Sequence, residues 1–217
     1  QLDLLDQYQP TGELTLRPNA KELVVTLRVR RANQPLWKLL GGSSGRVRVY
    51  ASGIGPDKVV AVALAKHAEG YRAFKLKVGF GAERDVANLA AMREALGPDA
   101  VIMCDANQAW SPSDAPARIA ELAPYKPYWI EEPIGADQPH AAWRSLTQAS
   151  PVPLAAGENL RGEPAFAEAI EAGYLRFLQP DVGKWGGITG GLAVARQAQA
   201  QGIAYCPHWL AGGVGLA

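Results

Sequence analysis

From residue 47 onward, short apolar runs alternate with stretches that have helical periodicity. Helical stretches are predicted at Lys58–Glu69, Asp114–Leu122 and Ala165–Ala172, with Pro, Ser or Asp near their starts. The apolar runs predict buried strands at Val47–Ser52, Phe74–Val78, Val101–Asp105, Tyr128–Glu131, Leu154–Gly157, Phe177–Gln179 and Ala204–Cys206. Strands and helices that alternate in this way form parallel sheets, so the sequence predicts either a (β/α) barrel or an open doubly wound sheet.

Ionisable side chains stand at or near the ends of six successive predicted strands. In chain order they are Lys77, Asp105, Glu131, Glu158, Asp181 and His208, and each lies 23 to 28 residues from the next. A barrel draws its site from the ends of many strands, whereas an open sheet places a ligand at one switch point. The pattern therefore favours a (β/α)8-type TIM barrel over residues 46–217, and this sequence supplies only seven of its strands.

Carboxylates end three consecutive strands, at Asp105, Glu131 and Glu158. Such groups repel one another unless a cation lies between them, and hard oxygen ligands suit Mg²⁺. Asn107 follows Asp105 on the same strand face and is a candidate substrate contact. Because Glu131 and Glu132 are adjacent, we expect only Glu131 to bind the metal and Glu132 to be satisfied by a nearby lysine or arginine.

Candidate acid–base groups flank these carboxylates. Lys75 and Lys77 share one face of a strand, where each charge would depress the pKa of the other and make one amine a usable base. The alternative is that the two lysines are only ion-pair partners of the carboxylates. His208 and Asp181 end neighbouring strands, and a carboxylate beside an imidazole fixes its tautomer. Lys184 lies in a glycine-rich loop, and its side chain could reach a mouth carboxylate or bind substrate. The glycines of this loop could alternatively bind a phosphate, although the loop matches no known phosphate-binding motif.

The composition of the chain limits which partners it is expected to bind and where in the cell it is expected to be. A net charge of +1 gives no electrostatic footprint for nucleic acid, and no apolar run approaches the length of a membrane helix. No signal peptide is visible at the start, and Cys104 and Cys206 lie inside apolar runs, so we expect a cytoplasmic protein with reduced cysteines. The exposed sheet edge of a seven-stranded barrel favours homo-oligomers.

An ordered series of motifs accompanies the predicted strands from about Leu36 to Ala217. The motifs are Lys75-Leu76-Lys77, Asp105-Ala106-Asn107, Trp129-Ile130-Glu131-Glu132-Pro133, Gly157-Glu158-Asn159, Pro180-Asp181 with Lys184-Trp185-Gly186-Gly187, and Pro207-His208. This series resembles the mandelate racemase/muconate lactonizing enzyme-like family of the enolase superfamily and, within it, the mandelate racemase branch. By that resemblance Asp105, Glu131 and Glu158 would hold Mg²⁺, Lys77 would be a base tuned by Lys75, and the His208–Asp181 dyad would act on the other face of the substrate.

The resemblance also implies a larger N-terminal α+β capping domain before the barrel. Residues 1–45 would be its remnant, and the alternation over 22–30 with Leu14–Leu16 predicts a strand or hairpin there. Family members also place a further acidic residue on an eighth strand, which this sequence lacks. Specificity carried by the cap is therefore not readable from these residues.

The expected activity is Mg²⁺-dependent removal of the proton next to a small substrate's carboxylate. Two outcomes follow, dehydration of a sugar acid by a lyase or racemisation of a 2-hydroxy acid by an isomerase, and we favour dehydration. Two alternatives remain open at this point. One is a truncated relative that binds metal without catalysis, and the other is a barrel enzyme that acts on sugar phosphates.

Overall fold

The computed structural model describes residues 33–43 and 47–209. The chain divides into two compact units with a boundary between Gly45 and Arg46. The described part of the first unit contains one short helix, α1, at Leu36–Leu39. The predicted N-terminal hairpin lies outside the described residues, so the capping-domain remnant stays a prediction.

The second unit is built from seven strands and the helices between them. The strands are β1 Ala51–Ile54, β2 Ala73–Lys77, β3 Val101–Asp105, β4 Ile130–Glu131, β5 Leu154–Ala156, β6 Phe177–Leu178 and β7 Ala204–Tyr205. The helices are α2 Val59–Ala68, α3 Ala82–Leu96, α4 Ala115–Leu122, α5 His140–Ala149, α6 Glu163–Ala172 and α7 Gly187–Ala200, with a 3-10 turn at Ala123–Tyr125. The predicted alternation of strand and helix is confirmed.

All seven strands are parallel and follow one another in chain order, which makes a half-barrel of the TIM type. The registers pair Lys77 with Asp105, and Asp105 with Glu131. Neighbouring strands lie about 4.8 Å apart, so side chains paired in this way stand side by side. The register therefore brings the ends of β2, β3 and β4 to one level of the barrel mouth.

Alternate residues of each strand enter two different apolar layers. Phe74, Leu76, Ile102 and Cys104 belong to the large core that includes the inner faces of the helices. A smaller cluster of Met103, Trp129, Ala155 and Phe177 packs together on the opposite face of the strands, the face that carries Lys75 and Glu131. Burying each large side chain contributes about 1.5–3 kcal/mol, so both layers fix the strands that position the mouth residues.

The first predicted strand is the least accurate. It was expected at Val47–Ser52, whereas β1 runs over Ala51–Ile54. Val47 and Val49 are 76% and 59% exposed, so their alternation does not mark a buried strand. Both cysteines are free thiols, Cys104 buried and Cys206 half-buried. Across the described ranges, no helix combines the length and apolar character needed to cross a bilayer.

Candidate active site

The two lysines of β2 point to the same side of the strand and meet the carboxylates of its neighbours. Lys75 is 2% exposed, and its ammonium lies 2.5 Å from Glu131 Oε1 and 3.1 Å from Asp105 Oδ2. Lys77 Nζ donates to Asp105 Oδ2 at 2.5 Å and to Asn107 Oδ1 at 2.6 Å. The period of two along a strand places both amines inward, as the sequence predicted.

The neighbouring carboxylates, rather than the second amine, set the direction of the pKa change at Lys75. Although burial opposes the charged ammonium, Glu131 and Asp105 outweigh it and raise the pKa of Lys75. The same pairing outweighs burial at Asp105 and lowers the pKa of that carboxyl, whereas burial raises the pKa of Glu131. Lys75 thus stays a cation that two buried carboxylates share, which leaves Lys77 as the lysine candidate for proton transfer.

Glu131 is fully buried and held by neutral donors as well as by Lys75. Its Oε2 accepts hydrogen bonds from Trp129 Nε1 at 3.1 Å and from Gln179 Nε2 at 2.7 Å. Sequence reasoning missed both donors. The period of two marks Trp129 as a neighbour of Glu131 on one strand face, but Gln179 lies 48 residues away and gives no local signal.

Glu158, Lys184 and the predicted dyad form a second group at the mouth. Lys184 Nζ lies 2.9 Å from Glu158 Oε1, and His208 Nε2 lies 3.1 Å from Glu158 Oε2. On its other side, His208 Nδ1 lies 2.7 Å from Asp181 Oδ2. The structure therefore brings together the residues that the strand spacing placed here.

Asp181 is fixed by the backbone of the loop that follows β6. Its Oδ1 accepts from the N–H groups of Gly183 at 2.7 Å and Lys184 at 3.0 Å. Burial opposes ionisation, but the contact with His208 and these amides outweigh it and lower the pKa of Asp181. An ionised Asp181 receives the Nδ1–H of His208 and leaves Nε2 facing the mouth.

Among the described residues, the carboxylate of Glu132 contacts side-chain amides rather than the lysine or arginine that we expected. Asn159 Nδ2 donates to both of its oxygens at 2.9 Å, and Gln108 Nε2 lies 3.3 Å from Oε2. The backbone of Glu132 is left-handed, with φ of +42°, which turns this residue out of the strand alternation. Burial, followed by the charge of Glu158, raises the pKa of Glu132 to about 7.

The three predicted metal ligands are each paired with a cationic side chain. Asp105 contacts both β2 lysines, Glu131 contacts Lys75, and Glu158 contacts Lys184. Within residues 33–43 and 47–209, no three acidic, histidine or cysteine side chains gather closely enough to hold a metal ion. Asp105, Glu131 and Glu158 nevertheless fit Mg²⁺ chemically, because all three offer hard oxygen donors at or just after the ends of adjacent parallel strands. The metal site stays a prediction.

Comparison with known proteins identifies the relatives of this chain. The family described as enolase C-terminal domain-like matches residues 58–217. D-galactarolactone cycloisomerase from Agrobacterium fabrum is 36% identical over 222 residues, covering 99% of this chain and 58% of that protein. Curated relatives named L-galactonate and D-galactonate dehydratase also match.

Solved structures agree with the sequence relatives. A mandelate racemase/muconate lactonizing enzyme from Bordetella bronchiseptica has a TM-score of 0.86 at 52% identity, covering 88% of this chain and 53% of that one. A racemase from Streptomyces coelicolor with bound magnesium has a TM-score of 0.81 at 36% identity, covering 85% of this chain and 53% of that one. The chain thus spans about half the length of these relatives, and it belongs to the enolase C-terminal domain-like family, among its mandelate racemase-like members.

Proposed function

We propose that this chain carries the acid–base machinery of an Mg²⁺-dependent enzyme that removes the proton next to a substrate carboxylate. The observation that carries the proposal is a pair of proton-transfer groups on different strands of one mouth. Lys77 ends β2, and the His208–Asp181 pair follows β7 and β6, with β3, β4 and β5 between them. Packing alone requires neither a partly exposed amine, such as that of Lys77, nor an imidazole oriented by a carboxylate, such as that of His208.

Each group has a defined part in the proton transfers. Lys77, once released from Asp105 and Asn107 and deprotonated to its neutral amine, takes the proton from the α-carbon on one face of the substrate. His208 Nε2 carries a proton on the other side, while the ionised Asp181 stabilises the imidazolium through Nδ1–H. Bound Mg²⁺, held by Asp105, Glu131 and Glu158, would polarise the substrate carboxylate and make the α-proton more acidic.

Two products follow from where the His208 proton goes. If it protonates a departing β-hydroxyl group, the substrate loses water. If it returns to the α-carbon on the opposite face, the configuration inverts. We favour dehydration of a sugar acid, with racemisation of a 2-hydroxy acid as the second outcome. Names of relatives support both, since they include galactonate dehydratases, a galactarolactone cycloisomerase and a racemase.

Asn107 and Lys184 are the proposed substrate contacts. Asn107 Oδ1 accepts from Lys77, so a substrate that displaces this contact would also free the base. Lys184 lies between Glu158 Oε1 and, at 3.5 Å, Asn159 Oδ1, where its charge is available to a substrate oxygen. Both side chains thus combine substrate binding with the release of a mouth carboxylate or amine.

The test is turnover of a panel of sugar acids and 2-hydroxy acids, with and without EDTA. Lys77→Ala and His208→Asn should each abolish turnover, and Asp105→Asn should mainly weaken Mg²⁺ binding. Lys66→Ala is a matched control, because Lys66 lies on the exposed surface of α2, where it pairs with the exposed Glu69. Turnover that persists in EDTA, or in Lys77→Ala and His208→Asn together, would refute the proposal.

A further inference from the structure

Glu132 lies where three loops of the mouth meet. It is the first residue after β4, is 1% exposed, and has both carboxylate oxygens turned toward neighbouring loops. Asn159, in the loop after β5, donates to both oxygens at 2.9 Å. Gln108, in the loop after β3, donates to Oε2 at 3.3 Å. One carboxylate therefore links the loops that follow β3, β4 and β5, beside Asp105, Glu131 and Glu158.

Gln108 strengthens the junction through its backbone and its amide oxygen. Its N–H donates to the carbonyl of Glu132 at 2.7 Å, and its Oε1 accepts from the N–H of Ala136 at 2.8 Å. Gln108 thus forms hydrogen bonds with two residues of the loop after β4, Glu132 and Ala136. These contacts leave the two loops little freedom to separate.

The backbone around this junction is held in an unfavourable conformation. Asn107, Gln108 and Glu132 have φ of +44°, +63° and +42°, in the left-handed region that side chains other than glycine rarely adopt. Each such residue costs on the order of 1–3 kcal/mol and persists only when surrounding contacts enforce it. Strain of this kind concentrates at sites where geometry matters for function.

Within residues 33–43 and 47–209, no cationic side chain forms an ion pair with Glu132. Its carboxylate accepts hydrogen bonds from the side-chain amides of Asn159 and Gln108 instead. A buried carboxylate beside other carboxylates is unfavourable unless a positive charge is nearby. Because amides already occupy both oxygens, Glu132 is suited to holding loops around a cation rather than to ligating it.

We propose that Glu132 is a positioning residue that sets the relative placement of Asp105, Glu131 and Glu158 for one divalent cation. It acts through its hydrogen bonds with Gln108 and Asn159, which fix the positions of the loops after β3 and β5. The inference rests on the proposed function, because it requires that these three carboxylates bind Mg²⁺.

The experiment is calorimetric titration of the protein with Mg²⁺ alone, combined with thermal melts in EDTA. Glu132→Gln keeps the size of the side chain but replaces one acceptor oxygen with an amide that opposes the amide of Asn159. We expect the Kd for Mg²⁺ to rise about 10–100-fold, the range typical when a group supporting metal ligands is lost. Glu168→Gln, at an exposed site on α6, is the matched control and should leave the Kd unchanged.

A swapped pair separates positioning from a general loss of structure. Combining Glu132→Gln with Asn159→Asp reverses donor and acceptor while keeping the net charge, and should recover most of the Mg²⁺ affinity. If Glu132→Gln does not fold, Gln108→Ala removes one donor and leaves Glu132 in place, with an expected several-fold rise in Kd.

The outcomes distinguish the two proposals. A parent protein that binds no Mg²⁺ overturns the proposed function and this inference with it. A parent that binds Mg²⁺, with Glu132→Gln binding equally well, overturns only this inference. A lower melting temperature in EDTA with an unchanged Kd also overturns it, because Glu132 would then serve stability alone.

Discussion

Replacing Lys75 with methionine should destabilise the protein strongly. Lys75 is 2% exposed and is the cation that Glu131 and Asp105 share, at 2.5 and 3.1 Å. Methionine fills a similar volume but leaves Glu131 without any cationic partner among the described residues. Asp105 retains Lys77, so the cost falls mainly on Glu131.

The magnitude follows from the cost of a buried charge without its partner. Removing one member of a buried ion pair typically costs about 3–5 kcal/mol. For a domain of this size, that corresponds to a fall in Tm of about 6–20 °C. Lys66→Met is the control on the surface, where the pair with Glu69 is exposed to water and screened, so Tm should change little.

The loss should depend on pH in a definite direction. Burial already raises the pKa of Glu131 above its ordinary 4.5, and removing Lys75 raises it further. An acid whose pKa is raised in the folded state stabilises fully below its unfolded pKa, and that stability is lost as pH rises through the folded pKa. The deficit of Lys75→Met should therefore be largest at and above neutral pH and should shrink as pH falls toward 4.5.

Urea unfolding followed by circular dichroism at several pH values, in EDTA, measures this deficit. Adding Glu131→Gln to Lys75→Met removes the unpaired charge and should recover part of the stability at neutral pH. A deficit below about 1 kcal/mol, or one that does not change with pH, would refute the assignment of Lys75 as the buried counter-ion of Glu131.

Two further substitutions test other parts of the account. Asp181→Asn should lower kcat by about 10²–10⁴-fold, because His208 loses the anion that orients it and stabilises its charged form. The circular dichroism spectrum should not change. An unchanged kcat would show that Asp181 does not act with His208. Gly157→Ala should lower the free energy of unfolding, measured in urea, by about 1–3 kcal/mol, because the added Cβ would lie 2.7 Å from the backbone N of Gln179. Gly70→Ala is the control, since Gly70 also has a positive φ but open space around it, and it should destabilise the protein less. Equal losses of stability would show that the clash is unimportant.

Sequence periodicity predicted the strands best where both faces of the strand are buried. β3 occupies the predicted residues Val101–Asp105, because an unbroken apolar run there enters both apolar layers. The first strand was misplaced because Val47 and Val49 alternate like strand residues yet face solvent. The regular spacing of polar residues at strand ends then sufficed to place Lys77, Asp105, Glu131 and His208 at one mouth.

The finer electrostatics of the mouth could not be predicted, since they depend on contacts across the chain. Lys75 and Glu131 are 56 residues apart, and only the fold shows that they lie within 2.5 Å of each other. That distance decides the sign of the pKa change at Lys75. The role of Glu132 was hidden for a similar reason, because its left-handed backbone breaks the alternation from which its direction was predicted.

The central claim is that groups at this mouth remove the proton next to a carboxylate, and exchange of that proton with solvent tests it most directly. Sugar acids and 2-hydroxy acids would be incubated with the protein and Mg²⁺ in deuterium oxide. Proton NMR would follow loss of the α-proton, with deuterium entering the α-carbon on exchange or racemisation and the carbon that lost its hydroxyl group on dehydration. We predict incorporation that requires Mg²⁺ and is lost in Lys77→Ala. Conversion to a product that keeps the original α-proton of the substrate, or exchange that survives loss of both Lys77 and His208, would contradict the account.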